Sequence, residues 1–232
     1  AGDGAFNVLR VKAEKEVFDI IEELSKIEQA PGSPAKKIGD LYRSFMNEEK
    51  IEQLRLTPIE EDIKAVLALN TRENFIELLG DLETRGSGGL FYFAVYGDAQ
   101  DSSTNIGYLG QSGLSLPDEA YYREAEYEPL RAAFLLHMQN MFNLAGIEDP
   151  NGHSARVLSL ETELASHHWD QVKCRDAILT YNKQSYAQLQ ELSKGFDWPG
   201  YLSAARIPES VLSSVIVHQP SFFTGLGQMI EK

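Results

Sequence analysis

The sequence contains only one cysteine, Cys174, and five histidines. A single cysteine excludes an intrachain disulfide, so the fold does not depend on an oxidising compartment. No two histidines lie four residues apart, which excludes the helical His-Glu-x-x-His pair of a zinc hydrolase. No apolar run approaches the ~20 residues that a membrane span needs. The first residues lack a basic segment followed by an apolar one, so we expect no signal peptide in the residues given.

Basic residues are also scarce, since 35 acidic residues face 21 basic ones and the net charge is −14. The acidic residues are scattered along predicted helices and do not form a tail. This charge disfavours binding to nucleic-acid phosphates. It leaves two interpretations open, namely a solvated acidic surface and a preference for cationic partners.

Most of the sequence shows the apolar spacing of α-helices. Apolar residues recur at helical spacing from Phe6 to Ile27, which predicts a long amphipathic helix. Ser33 is predicted to cap the next helix, which starts at Pro34. Further helices are predicted from the following segments: around Ile51 and Leu54, 58–69 behind a capping box at Thr57, 72–83 capped by Thr71, 126–145, a helix beginning at Asn151 or Ser154 and reaching Trp169, 185–194 behind a capping box of Ser185 with Gln188, a short helix from Pro199, and 221–230.

One long interruption, residues 91–122, separates these helices. Phe91 to Tyr96 is aromatic and β-branched, and residues 105–111 form its predicted partner strand. We predict that both faces of this hairpin are at least partly covered. A glycine-rich link, residues 85–89, precedes the hairpin. The predicted fold class is mainly α, a multi-helix domain with one β-hairpin (about 91–111) and a short later strand (about 214–218).

The chain is long enough to bury a full core as one large domain or two small ones, and we predict a single helical domain over residues 1–232. At least half of the residues should be helical. The strongly apolar helix 126–145 is predicted to be central to the core. Its side chains Phe134, Met138, Met141 and Phe142 should then be largely buried.

Candidate catalytic groups are few. Glu163 and His167 have the helical i, i+4 spacing, with His168 beside them, but a surface pair explains this spacing better than a metal site. Cys174 has no evident histidine partner for nucleophilic catalysis. The pair Glu161 and Glu163 leaves a third hypothesis open, an enzyme that uses paired carboxylates. We predict no catalytic, no cofactor-binding and no metal-binding residues in this chain.

Several segments occur in an order that resembles a known family. The most specific is Gly113 to Tyr122, reading GLSLPDEAYY. The others are Gly4–Arg10 (GAFNVLR), Leu41–Glu48 (LYRSFMNE), Ile51 with Thr57–Ile59 (TPI), Leu160–Ala165 (LETELA), Arg175–Asp176, Tyr181–Lys183 (YNK), Phe196–Trp198 (FDW), and Val215–Val217 (VIV) with Pro220 and Phe222. Together they resemble the neprilysin and endothelin-converting-enzyme family of zinc metalloendopeptidases, whose bacterial members include oligoendopeptidase O.

The resemblance implies that the chain is the amino-terminal part of such a peptidase, which faces the catalytic domain across an internal cavity and limits access to small peptides. It implies zinc in the parent enzyme but none in this fragment, which is expected to be inactive alone. The implied partners are the carboxy-terminal catalytic domain of the same polypeptide and small peptide substrates. The lone Cys174 fits a soluble bacterial member, cytoplasmic or exported, with no membrane segment in this chain.

Two departures from the family pattern concern its functional motifs. The zinc-binding His-Glu-x-x-His motif and the Asn-Ala dipeptide that contacts the substrate backbone do not occur in the sequence. Relatives also place a substrate-binding arginine just before the first helix, where this chain has residues 1–3 (AGD). The alternative hypothesis is a free-standing acidic helical module that acts as an adaptor or inhibitor.

Overall fold

The computed structural model describes residues 4–87 and 89–232. Residues 1–3, where the family arginine is missing, and Gly88 of the glycine-rich link lie outside the described residues. Helical residues make up 61% of the structure, which confirms the prediction of at least half. The helices are α1 (Ala5–Lys26), α2 (Pro34–Phe45), α3 (Glu48–Leu54), α4 (Glu60–Leu67), α5 (Arg72–Thr84), α6 (Ala120–Arg123), α7 (Glu128–Leu144), α8 (Pro150–Ser166), α9 (Gln171–Cys174), α10 (Tyr186–Leu192), α11 (Trp198–Ala204) and α12 (Pro220–Glu231).

The chain divides into two compact units, one ending at Glu61 and the other running Asp62–Lys232. The single domain over residues 1–232 stays a prediction. In the first unit, α2 crosses α1 closely because Gly39 has no side chain. A Cβ there would lie 2.5 Å from the backbone oxygen of Leu24. The Arg43 guanidinium donates to the carbonyl of Ser25 at 2.6 Å and ties the two helices further.

A four-stranded sheet organises the second unit, with strands β1 (Phe91–Asp98), β2 (Asp101–Gln111), β3 (Lys183–Ser185) and β4 (Ser214–Val217) in the order β1-β2-β4-β3. The hairpin pairs β1 antiparallel to β2, with Phe91 opposite Gln111. Strand β4 joins β2 in parallel, and β3 joins β4 antiparallel. The predicted hairpin and later strand are therefore confirmed, whereas the three-residue β3 was not predicted.

The main core lies on one face of this sheet. Phe91 packs against the rings of Trp198, Tyr201 and Phe223 at centroid distances of 5.4, 5.1 and 5.9 Å. The most deeply buried side chains include Leu109 of β2, Leu212 of the 3-10 turn before β4, Val215 and Val217 of β4, and Phe222 and Leu226 of α12. The opposite face carries a smaller cluster of Ile106, Tyr108 and Ile216, covered by Tyr181.

Helix α7 does not have the central place that the sequence predicted. Met138 is buried, but Met141 is 52% exposed, and Phe134 and Phe142 are only half-buried. The helix packs mainly on α8, at the side of the core. Its apolar residues face several directions, so composition alone did not indicate how much of the helix a neighbour would cover.

The predicted helix starts were mostly right. Ser33, Thr71 and Ser185 each accept a hydrogen bond from the first turn of their helix, and Ser185 with Gln188 forms the predicted capping box. The capping box predicted at Thr57 was wrong, because Thr57 lies inside a 3-10 turn that leads into α4 without a side-chain cap. Asp149, not Asn151 or Ser154, caps α8.

Candidate functional site

The segment with the most specific family motif is held by one buried carboxylate on α8. Glu161 accepts hydrogen bonds from the backbone N–H of Ser115 at 3.1 Å, from the Ser115 hydroxyl at 2.7 Å and from the Tyr122 hydroxyl. The N–H of Leu116 donates in turn to the Tyr122 hydroxyl at 2.9 Å. Burial and the Glu161 carboxylate raise the pKa of Tyr122 well above its usual value, so the phenol stays a donor. Glu161 thus fixes both ends of the loop 113–122.

A second set of hydrogen bonds ties the end of β2 to the segment that follows α8. The Gln111 side chain donates to the Trp169 carbonyl at 2.9 Å and accepts from the Trp169 N–H at 2.7 Å. The His168 ring lies 3.1 Å, through Nε2, from the carbonyl of Ser112. Because a carbonyl only accepts, Nε2 carries the proton. Burial lowers the pKa of His168 below its ordinary value, which favours this neutral form.

Cys174 lies in a cleft of about 480 Å³ beside these groups, lined in part by Asp118, His168 and His218. The side-chain amides of Gln111 and Gln219 point their nitrogens at its sulfur, at 3.5 and 3.6 Å. Burial raises the pKa of the thiol, and no hydrogen bond from the sulfur to a histidine is present among the described residues. The geometry therefore fits a structural thiol and gives no support to a thiolate nucleophile.

The tip of the hairpin is fixed by Asp98, which is buried at the end of β1. Its carboxylate accepts from Lys183 Nζ and from the Tyr181 hydroxyl, each at 2.8 Å, and from the N–H of Gln100 at 2.9 Å. The Lys183 hydrogen bond and these other donors lower the pKa of Asp98 to about 2. Another family-like segment, 181–183, is therefore joined to the hairpin by an ion pair.

The residues that sequence reasoning weighed as metal ligands do not converge. Glu163 pairs with Lys232 at 2.5 Å. His167 rests on α12, where a Cβ at Gly225 would lie 2.3 Å from its ring, while His168 turns to Ser112. Over residues 4–87 and 89–232, no three His, Cys, Asp or Glu side chains are grouped to hold a metal ion. Glu161 and Glu163 share no partner either, since Glu161 is occupied by the loop and Glu163 by Lys232.

Sequence reasoning missed Glu161 and Asp98 as anchors. The sequence around each of these residues gave only a weak indication that the carboxylate would be buried. Glu161 follows Leu160 in an amphipathic helix, and Asp98 ends an aromatic and β-branched strand. Buried carboxylates need partners, but a sequence does not say which donors the fold will bring to them.

A large apolar surface is left open in the unit that ends at Glu61. Side chains on α1 and α2 expose much of their area, among them Phe6, Leu9, Val17, Ile20, Leu41 and Phe45. Single exposed apolar residues are ordinary, but a continuous series along two helices marks an interaction surface. In the described residues no helix is both long enough and apolar enough to span a membrane.

Comparison with known proteins identifies the family. The family model described as peptidase family M13, for its amino-terminal part, matches residues 1–232. The chain belongs to peptidase family M13. Endothelin-converting enzyme 1 of Rattus norvegicus is 30% identical over 225 residues, covering 91% of this chain and 29% of that enzyme. The resemblance drawn from the ordered motifs is thereby confirmed.

Solved structures of M13 relatives agree with the fold. The zinc metalloprotease Zmp1 of Mycobacterium tuberculosis, in complex with an inhibitor, has a TM-score of 0.88 and 35% identity over 98% of this chain. The open state of Zmp1 gives a TM-score of 0.87. The structure of PepO from Lactobacillus rhamnosis, at 21% identity and a TM-score of 0.74, supports the fold alone. The chain spans 35–36% of the two Zmp1 chains, about a third of their length.

Proposed function

We propose that this M13 chain is the non-catalytic amino-terminal part of a zinc metalloendopeptidase, which encloses a cavity with the catalytic part and restricts access to small peptides. The observation that carries the proposal is the uneven coverage of the matches. They extend over 91–98% of this chain but over only 29–36% of the rat enzyme and the Zmp1 chains. The sequence also lacks His-Glu-x-x-His, so the zinc motif of the family would lie elsewhere in the polypeptide.

The described residues do not fit zinc. A catalytic zinc site needs about three converging protein ligands with an open position, whereas Glu163, His167 and His168 each have a different neighbour. We therefore assign no catalytic step to this chain. In the parent peptidase, zinc would supply a water nucleophile and polarise the peptide carbonyl.

The buried anchors support a scaffolding role. Glu161 and Asp98 hold two motif segments, the loop 113–122 and residues 181–183, against the rest of their unit. Both carboxylates are satisfied by the chain's own donors, so the motifs serve the fold of this part. A part held together in this way suits a role in limiting access better than a role in acting on substrate.

The experiment compares the whole gene product with the 232-residue chain. The whole product should retain zinc and cleave a bradykinin-sized peptide in a chelator-sensitive way, and the shorter chain should do neither. To test restricted access, peptides of increasing length and an unfolded protein would be offered to the whole product. We expect cleavage to fall steeply with size. Equal cleavage of the unfolded protein would refute the enclosing role, and a whole product without zinc or peptidase activity would refute the assignment.

The alternative, an acidic interaction module acting alone, is favoured by the net charge of −14 and the exposed apolar side chains. It predicts that the 232-residue chain captures a cationic peptide in preference to a neutral one, with an affinity that falls as salt rises. A gene product that ends at Lys232 would support this alternative.

A further inference from the structure

Apolar side chains of α1 form a continuous stripe, which we define as Phe6, Leu9, Ala13, Val17, Ile20 and Leu24. Successive members are three or four residues apart. At about 100° per residue, they all fall within about 80° of the helix circumference. Spacing of this kind is that of a helix that packs along its length against another helix.

The stripe has no cover in the described structure. Phe6 is 91% exposed and Leu9 62%, and Val17 and Ile20 are more than half exposed. Only Leu24 is half-buried. Each of these apolar side chains would contribute favourable free energy if a partner buried it. The stripe is therefore a surface that needs a partner.

Helix α2, the neighbour of α1 in the same unit, approaches the stripe at Leu24, whose backbone oxygen would lie 2.5 Å from a Cβ at Gly39, and leaves the exposed members uncovered. It contacts α1 through the ring of Phe18, which meets Tyr42 edge-on at 6.5 Å, and through the carbonyl of Ser25. Phe18 and Ser25 lie more than about 100° round the helix from the centre of the stripe. Apart from its end at Leu24, the stripe therefore lies on a different side of α1 from the one that α2 covers.

The comparisons indicate what the partner is. The family match runs through α1, and the Zmp1 structures cover 98% of this chain while most of their own length lies outside the match. A second copy of this chain is a poorer partner, because the net charge of −14 opposes self-association. We propose that a helix from the part of the same polypeptide outside these 232 residues packs on the stripe. This inference rests on the proposed function.

The chain offers a matched pair of substitutions. Val17 belongs to the stripe and is 55% exposed, whereas Val11 lies on the same helix, off the stripe, and is 52% exposed. Changing either to Asp costs the same helix propensity and adds the same charge. In the 232-residue chain, Val17→Asp and Val11→Asp should have equal, small effects on the melting temperature. In the whole gene product, Val17→Asp alone should lower it.

Hydrogen exchange provides a test that needs no variant. The amides of α1 should exchange about tenfold or more slowly in the whole gene product than in the 232-residue chain, because docking suppresses local opening. Equal exchange in the two proteins, or equal effects of the two substitutions in the whole product, would overturn the inference. So would a concentration-dependent dimer of the 232-residue chain that Val17→Asp dissociates.

The two proposals fail in different ways. A whole gene product that binds zinc and cleaves peptides, but leaves α1 unprotected, would refute only the docking of the stripe. A product without peptidase activity, yet with α1 protected, would refute only the proposed function. A product that ends at Lys232 would refute both.

Discussion

At the scale of single residues, Glu161 and Glu163 provide a direct test of the buried anchor. Both lie on α8, two residues apart, but Glu161 is buried with three donors while Glu163 pairs with Lys232 at the surface. Glu161→Ala leaves the buried groups of Ser115 and Tyr122 without an acceptor and should cost about 2–4 kcal/mol of unfolding free energy. Glu163→Ala should cost no more than about 1 kcal/mol.

Urea denaturation of the two variants measures this difference. Glu161→Gln keeps the shape and one acceptor oxygen, so its loss of unfolding free energy should lie between those of the wild type and Glu161→Ala. Equal losses for Glu161→Ala and Glu163→Ala would mean that the network around the loop 113–122 does not hold it.

His168 should make stability depend on pH. Burial lowers its pKa in the folded chain, so the folded state binds the proton less readily than the unfolded state does. The contribution of neutral His168 is present in full above the unfolded pKa of about 6.5, and it is lost as pH falls below that value. The charged neighbours are Glu119, which raises the pKa, and His167, which lowers it. Unfolding free energy should therefore fall as the pH is lowered below about 6.5.

His168→Gln removes the titrating group and keeps a donor for the Ser112 carbonyl. The variant should show a shallower fall in unfolding free energy over the same pH range, measured in urea at several pH values. Burial also lowers the pKa of His218, so part of the slope should remain. An unchanged slope in His168→Gln would contradict the assignment of this dependence to His168.

At the scale of elements, what the sequence predicted well is what local chemistry decides. Ser33, Thr71 and Ser185 cap their helices because a hydroxyl satisfies an N–H of the first turn wherever the helix packs. The hairpin followed from its aromatic and β-branched strands. By contrast, β3 has only three residues and exists because β4 offers an edge beside it. The half-exposed state of α7 also depends on which neighbours it has.

The packing of α5 on α11 depends on Gly80. A Cβ at this position would lie 2.5 Å from the carbonyl oxygen of Tyr201 and 2.9 Å from the Cβ of Ala204, so the two helices would have to move apart. Gly80→Ala should therefore reduce the unfolding free energy by about 1–3 kcal/mol, although alanine favours a helix.

Gly97→Ala in β1 is the control, because nothing lies within 4 Å of the added Cβ. Its unfolding free energy should be unchanged or slightly raised. Thermal and urea denaturation would compare the two variants. A Gly80→Ala protein as stable as the wild type would mean that α5 and α11 tolerate a wider separation.

At the scale of the whole molecule, the amphipathic pattern of α1 correctly indicated a helix with an apolar side. The pattern does not say where the partner of that side lies, and the structure leaves it exposed. The same limit applied to the candidate site. The ordered motifs identified the family, but they did not indicate that Glu161, in one of them, would be a buried support whose partners Ser115 and Tyr122 are distant in sequence.

The last prediction is that the 232-residue chain neither retains zinc against a modest chelator nor hydrolyses peptides. Its best ligand candidates have separate contacts: Glu163 pairs with Lys232, the His167 ring packs on α12 at Gly225, and His168 donates to the Ser112 carbonyl. Zinc binding would have to break these contacts and would still find fewer than about three convergent ligands. Equilibrium dialysis with a chelator, together with a peptide cleavage assay, measures both properties. One zinc retained per chain, lost in a His167→Ala, His168→Ala double variant and accompanied by chelator-sensitive cleavage, would refute the non-catalytic assignment.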